Sequence, residues 1–152
     1  MTKNKVVDRP DRQTSLRRLK HWDSILAKLE EEPKLLNMYE WSEKCGTVGC
    51  AAGHAAMDQT FIDEGLHIEE GGELPECCLK PPWWCSSGRY VSWGINAVSW
   101  FFGLTREQAE HICLPEKYDI NETKPYPLRI PISPEKVRKH IGDVIRSIEE
   151  PP

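Results

Sequence analysis

Two cysteines, three glycines and a histidine crowd the stretch Cys45-Gly46-Thr47-Val48-Gly49-Cys50-Ala51-Ala52-Gly53-His54-Ala55-Ala56. Residues of these types at this spacing could support three kinds of chemistry. With Thr47 as a helix N-cap, Cys50 falls in the first turn, where unpaired amides and the helix dipole stabilise a thiolate. Such a nucleophile needs a downstream base. His67, His111 and His140 are the candidates, Leu66-His67-Ile68 having the most strand-like surroundings, while His54 shares the helix face of Cys50. Alternatively, Cys45, Cys50 and His54 have spacings within the range of zinc ligands, with Cys77, Cys78 or Cys85 to complete a tetrahedron. Finally, the amides of Thr47, Val48 and Gly49 could meet a small anionic or nucleotide-like ligand at a helix start, although the lysine and spacing of a phosphate loop are missing.

Each reading has a plainer counterpart. A small cysteine packing like alanine satisfies the pattern at Cys50, and packing is the better reading. No second Cys-x-x-Cys knuckle supports a metal, and the adjacent Cys77-Cys78 pair is awkward for one ion, so a structural zinc is allowed and no other cofactor is suggested. Gly49-Cys50 is similar, over a few residues only, to the helix start of papain-like and transglutaminase-like cysteine enzymes. That likeness implies a hydrolase or transferase with Cys50 as nucleophile. Trp83 and Trp84 sit in a stretch rich in proline and cysteine, where exposed rings could anchor a ligand or protein partner. The competing expectation is a loop pinned to the core by those rings. Trp22, Trp41, Trp93 and Trp100 fit core stripes.

The elements that must position these residues read as mainly helical. Leu16, Leu19, Trp22, Ile25, Leu26 and Leu29 make one apolar stripe from Thr14 to about Glu31, ended by Pro33. A second helix is expected from Val48 to about Asp63, its small residues letting a neighbour approach closely. Ile95, Val98, Phe101 and Phe102 form a third stripe, with Gly103 just past its end. Thr105 with Gln108 predicts a capping box, and Ser133-Pro134 opens a last helix with Val137, Ile141, Val144, Ile145 and Ile148 on its apolar face. The expectation is a mainly α, single-domain helical protein over residues 1–152. In it, residues 1–12 are frayed, 65–92 form a long irregular loop or insertion, and 115–132 form a proline-rich extended segment. A short β-hairpin is allowed near Arg89–Trp93.

The chain has 152 residues, 39% hydrophobic, and a net charge of -4. That charge argues against a nucleic-acid or anionic membrane surface. Residues 1–20 hold seven Lys/Arg against two Asp, a basic arm that could touch phosphates, whereas residues 63–76 hold six acids and no Lys or Arg. The helix–turn–helix pattern of residues 95–112 would present Glu107 and Glu110 with only Arg106, which repels a DNA backbone. No apolar run approaches the roughly 20 residues of a membrane span, and the N-terminus has no signal-peptide pattern. A cytoplasmic setting with reduced cysteines is therefore expected.

Asn37-Met38, Trp41, Cys45-Gly46-Thr47, Cys50 and Gly53, followed by Gly103-Leu104-Thr105, Gln108 and Ala109, resemble a recurrent pattern in an uncharacterised family of small bacterial and phage proteins. Members carry Trp where this chain has His54, which weakens His54 as a ligand or base. The resemblance implies a phage or mobile-element accessory factor. Joined to the absence of a complete catalytic set, it points to a small binding protein that sequesters a ligand or blocks a host protein. Its surface would then be Trp83 and Trp84 beside the helix start at Thr47–Cys50.

Overall fold

A computed structural model describes residues 5–39, 49–84, 90–118 and 131–150. Helices dominate it, with one small antiparallel sheet, in the order α1 (Arg12–Leu29), α2 (Ala51–Met57), α3 (Gln59–Glu64), β1 (His67–Ile68), β2 (Pro75–Leu79), β3 (Tyr90–Trp93), α4 (Gly94–Phe102), α5 (Arg106–Cys113) and α6 (Pro134–Glu149). Among the described residues no helix is long and apolar enough to cross a membrane.

Helix α1 starts where Asp11 accepts from the Thr14 amide, satisfying one of the open first-turn donors. Its apolar stripe buries Leu19, Trp22, Leu26 and Leu29. Trp22 stacks on Phe102 at 4.4 Å, and Phe61 and Phe101 pack edge-on around that pair. Across the molecule α6 lies against α1. The Arg138 guanidinium forks onto both Asp23 carboxylate oxygens (2.9 and 3.1 Å) and reaches Glu30 (2.9 Å), while Arg12 donates to the Ile148 and Glu149 carbonyls closing α6. Those carbonyls have no intrahelical donor, so a cation there supplies both hydrogen bonds and charge.

The expected Val48–Asp63 helix is two helices. Asp58 takes an extended conformation and its carboxylate accepts from the Phe61 amide, so it ends α2 and caps α3. The same carboxylate meets His21 at 2.8 Å. A short polar side chain able to cap competes with helix continuation, and here capping wins. The alanines of α2 are buried and do admit a neighbour, since the Trp22 indole donates to the Ala51 carbonyl at 2.9 Å.

The stretch expected as an irregular loop holds three strands, the last of them where the sequence allows a short hairpin. They build a three-stranded sheet in the order β1-β2-β3, with Glu76 opposite both His67 and Trp93, and Leu79 opposite Tyr90. Beyond the short β1, Val6 bridges Cys78 and the Val7 amide donates to the Cys78 carbonyl at 2.7 Å. Residues 5–11 thus touch the sheet and α4 at a few points, most of their side chains staying exposed. Val7 is buried, its carbonyl accepts from the Trp100 indole, and Arg9 donates to the Leu104 carbonyl.

The helix ends downstream follow their local chemistry. Gly103 closes α4 at φ 68°, Thr105 and Gln108 form the full capping box of α5, and Ser133 caps α6 with Pro134 at its first position. Of the proline-rich segment, Pro115–Lys117 is a 3-10 turn, and residues 119–130 lie outside the described residues.

Candidate functional site

Cys50 sits one step before α2, as its N-cap, because the helix starts at Ala51. Thr47, Val48 and Cys45 lie outside the described residues, so the expected cap, part of the anion cradle and one metal ligand are not placed. The neighbouring amides are already used. Gly49 donates to the Leu35 carbonyl (3.2 Å), Ala51 to the Met38 sulfur (3.4 Å), and Gly53 to the Cys50 sulfur (3.4 Å). Gly49 also accepts from Asn37, which makes this corner a small bridge between two chain segments.

Burial decides the electrostatics of Cys50. The residue is 3% exposed, and desolvation pushes its thiol up to about 11, outweighing the amide contacts that favour a thiolate. Cys113 is also buried and pushed up, the nearby Cys50 adding to the effect. An activated nucleophile needs the opposite balance.

The histidines are engaged elsewhere. His54 places Nε2 2.7 Å from the Leu35 carbonyl, tying α2 to residues 33–37. His21 meets Asp58, His67 meets Glu76 (3.1 Å), His111 meets Asp143 (3.3 Å), and His140 Nδ1 meets the His111 carbonyl (2.6 Å). Among the described residues no group of three or more His, Cys, Asp or Glu is arranged to hold a metal ion. Cys77 and Cys78 are both buried in β2, and Cys85 lies outside the described residues.

Three arrangements escape sequence reading. Arg18 is buried in α1, its guanidinium 4.0 Å from the Phe101 ring centre and donating to the Phe101 carbonyl. Its spacing from Ser15, Leu19 and Trp22 puts it on the core stripe, which is the signal that could have found it. His140 lies between the parallel rings of His111 and Tyr118, at 4.1 and 3.9 Å. Beside this stack a groove of about 420 Å³ runs between α5 and α6, lined by Gln108, His111, Lys117, Asp143 and Ser147 among others. Several of these polar groups bond each other, including Gln108 with Ser147 and His111 with Asp143. Third, the sheet register lines up His67, Glu76 and Trp93 in a cross-strand row. Glu76 receives the Trp93 indole at 2.8 Å and meets His67, and both Glu76 and His67 are buried.

The exposed aromatics lie on the connection after β2 and on β3. Trp83 is 96% and Trp84 66% exposed on the connection leaving β2, while Tyr90 (38%) and Trp93 (48%) stand at the two ends of β3. Trp93 was expected in the core; its position on an edge strand keeps half of it in water. The three glutamates Glu69, Glu70 and Glu73 occupy the β1–β2 turn, beyond the Trp93 end, and Lys80 follows β2 at the Tyr90 end. No family model, curated protein or solved structure matches the chain.

Proposed function

We propose that this chain is a binding protein that captures a partner protein through the aromatic face around the β2–β3 connection, with Trp83 and Trp84 as anchors. The single observation that carries the reading is the exposure of both indoles, 96% and 66%. A tryptophan buries on the order of 200 Å² when covered, several kcal/mol of apolar transfer at about 25 cal/mol per Å². Leaving two adjacent indoles in water forgoes that gain until something covers them. Charge argues for protein over nucleic acid, because the chain carries a net charge of -4. The basic arm is also consumed internally. Arg12 reaches the end of α6, Arg17 and Arg18 reach Glu64, and Arg9 reaches the Leu104 carbonyl.

Cysteine catalysis has less behind it, since burial raises Cys50 and the histidines bond elsewhere. The likeness to small bacterial and phage proteins extends the reading to an accessory factor of a phage or mobile element. In that role it would act in the cytoplasm to block a host protein.

The test replaces Trp84 with a photo-crosslinking amino acid, identifies the adduct formed in cells, and purifies that partner. Its affinity is then compared for the parent chain and a Trp83→Ala/Trp84→Ala double variant of equal melting temperature. Loss of a hot-spot pair weakens binding by at least about 30-fold. A partner that binds both chains equally removes the assignment.

A further inference from the structure

Three aromatic rings stack in parallel where α5, α6 and the turn after α5 meet. Tyr118 lies 3.9 Å from His140 and His140 lies 4.1 Å from His111, with interplanar angles of 5° and 9°. Each ring is also held at its polar edge. The Tyr118 hydroxyl donates to the Ile112 carbonyl (2.6 Å), His140 Nδ1 donates to the His111 carbonyl (2.6 Å), and His111 Nε2 meets Asp143 Oδ2 (3.3 Å). Tyr118 is the buried end of the stack. His111 is the open end, its side chain 39% exposed. His140 takes one face of this imidazole, and among the described residues no ring covers the other. A ring held in this way is a platform on which a planar heterocycle gains stacking at little ordering cost.

His111 lines the groove of about 420 Å³ between α5 and α6, a volume within the usual span of small-molecule sites. Every residue lining that groove is among those described. Glu107 stands one helical turn before His111 and faces the same groove. Among the described residues, neither a hydrogen bond nor an ion pair engages its exposed carboxylate. Gln108 reaches Ser147 across the groove at 3.4 Å, a long bond that a better partner replaces. Lys117 adds an ammonium group.

The chemistry of the occupant follows from these groups. An ionised carboxylate only accepts, so it selects a ring edge that carries adjacent N–H groups. Guanine has that edge, N1–H beside the N2 amino group, next to a carbonyl oxygen that suits an ammonium donor. Adenine instead turns the lone pair of N1 toward the carboxylate, which repels it. We infer that the α5–α6 groove binds guanine as a free nucleoside or nucleotide. The base stacks on His111, donates N1–H and its amino group to Glu107, and accepts from Lys117. Neither Trp83 nor Trp84 lines this groove, so the site stands or falls independently of the aromatic surface.

The test titrates guanosine, inosine, adenosine and GMP into the full chain and follows backbone amide and indole resonances by NMR. Saturable shifts centred on residues 107–111 and 143–147 are expected, with guanosine at least about tenfold tighter than adenosine. Inosine, which lacks the amino group, should fall between them. Tighter binding of GMP than of guanosine names the nucleotide as the ligand, and the reverse names the nucleoside; both support the base site. Glu107→Gln, at an exposed position, should weaken guanosine at least about tenfold at an unchanged melting temperature. His111→Ala should lose binding, and His111→Phe, which restores a stacking ring, should recover it. No saturable shift at about 1 mM guanosine, equal affinity for guanosine and adenosine, or full affinity in Glu107→Gln overturns the inference. So do shifts confined to the Trp83 and Trp84 indoles, which mark a base resting on exposed rings alone.

Discussion

Alkylation of the native protein by iodoacetamide, resolved cysteine by cysteine through peptide mapping, tests the electrostatics of Cys50 directly. The thiolate is the reacting species. Desolvation moves the Cys50 thiol from its ordinary value of 9.0 to about 11. At pH 8 the thiolate fraction is then about one in a thousand, against about one in ten for the same cysteine in the unfolded chain. The native rate should therefore be about a hundredfold below that of the urea-denatured protein at the same pH. Steric exclusion of a residue only 3% exposed slows it further. The rate should keep rising tenfold per pH unit past pH 9, where an ordinary thiol levels off. Cys77, which burial pushes up to about 12, should label no faster than Cys50. If Cys50 labels at pH 7 as quickly in the native as in the denatured chain, or its rate levels off below pH 8, burial does not govern this thiol and the case against a nucleophile fails.

Three further outcomes are expected. Burial lowers the pKa of both His54 and His140, so below their ordinary 6.5 the unfolded chain binds protons that the native chain resists. The stability these two residues retain at neutral pH is lost as pH falls below about 6.5, and the urea midpoint should drop between pH 7.5 and 5.5; an unchanged midpoint would sink this account. Glu76→Ala leaves the buried His67 imidazole and the Trp93 indole without their acceptor and should destabilise by about 2 kcal/mol in urea unfolding. A Glu76→Gln variant, which keeps an oxygen for the indole, should lose less. Gly103→Ala meets a left-handed backbone (φ 68°), the Ser15 hydroxyl, and the Pro10 ring 2.9 Å from the new Cβ. It should cost about 2 kcal/mol more than Gly71→Ala, where φ is 72° and nothing lies within 4 Å. Equal melting temperatures for the two variants would show that the Ser15 and Pro10 contacts simply yield.

What was legible in the sequence was local chemistry. Gly103, the Thr105–Gln108 box and Ser133-Pro134 mark helix ends because each cap is made by residues within one turn of the boundary. The apolar stripes of α1, α4 and α6 are legible for the same reason, contrast around a turn. Helix α2 has little such contrast: its alanines and glycine are alike on every side, so the pattern predicts a start at Val48 where the helix begins at Ala51, and nothing in it marks Asp58 as a cap. Strand β2 hid differently. Pro75, Glu76, Cys77 and Cys78 are all buried, so the alternation that marks a half-exposed strand is absent. The row His67–Glu76–Trp93 exists only once the register is set, and no spacing within 26 residues of sequence announces it. Trp83 and Trp84 could be singled out by their company, but only the fold places Tyr90 and Trp93 at the two ends of one partly exposed strand.

The seam between α1 and α6 bears on how the chain is made. Asp23 and Glu30 find Arg138 across 115 and 108 residues, and Arg12 finds Ile148 across 136. At about 5–20 residues per second of synthesis, α1 waits many seconds beside the ribosome with its charged and apolar flank unpaired. Final closure is thus a late event that depends on sequence-distant contacts, which slow folding. A translation pause before residue 134 would lengthen the interval in which the flank of α1 carrying Asp23 and Glu30 is open to chaperones or to other nascent chains.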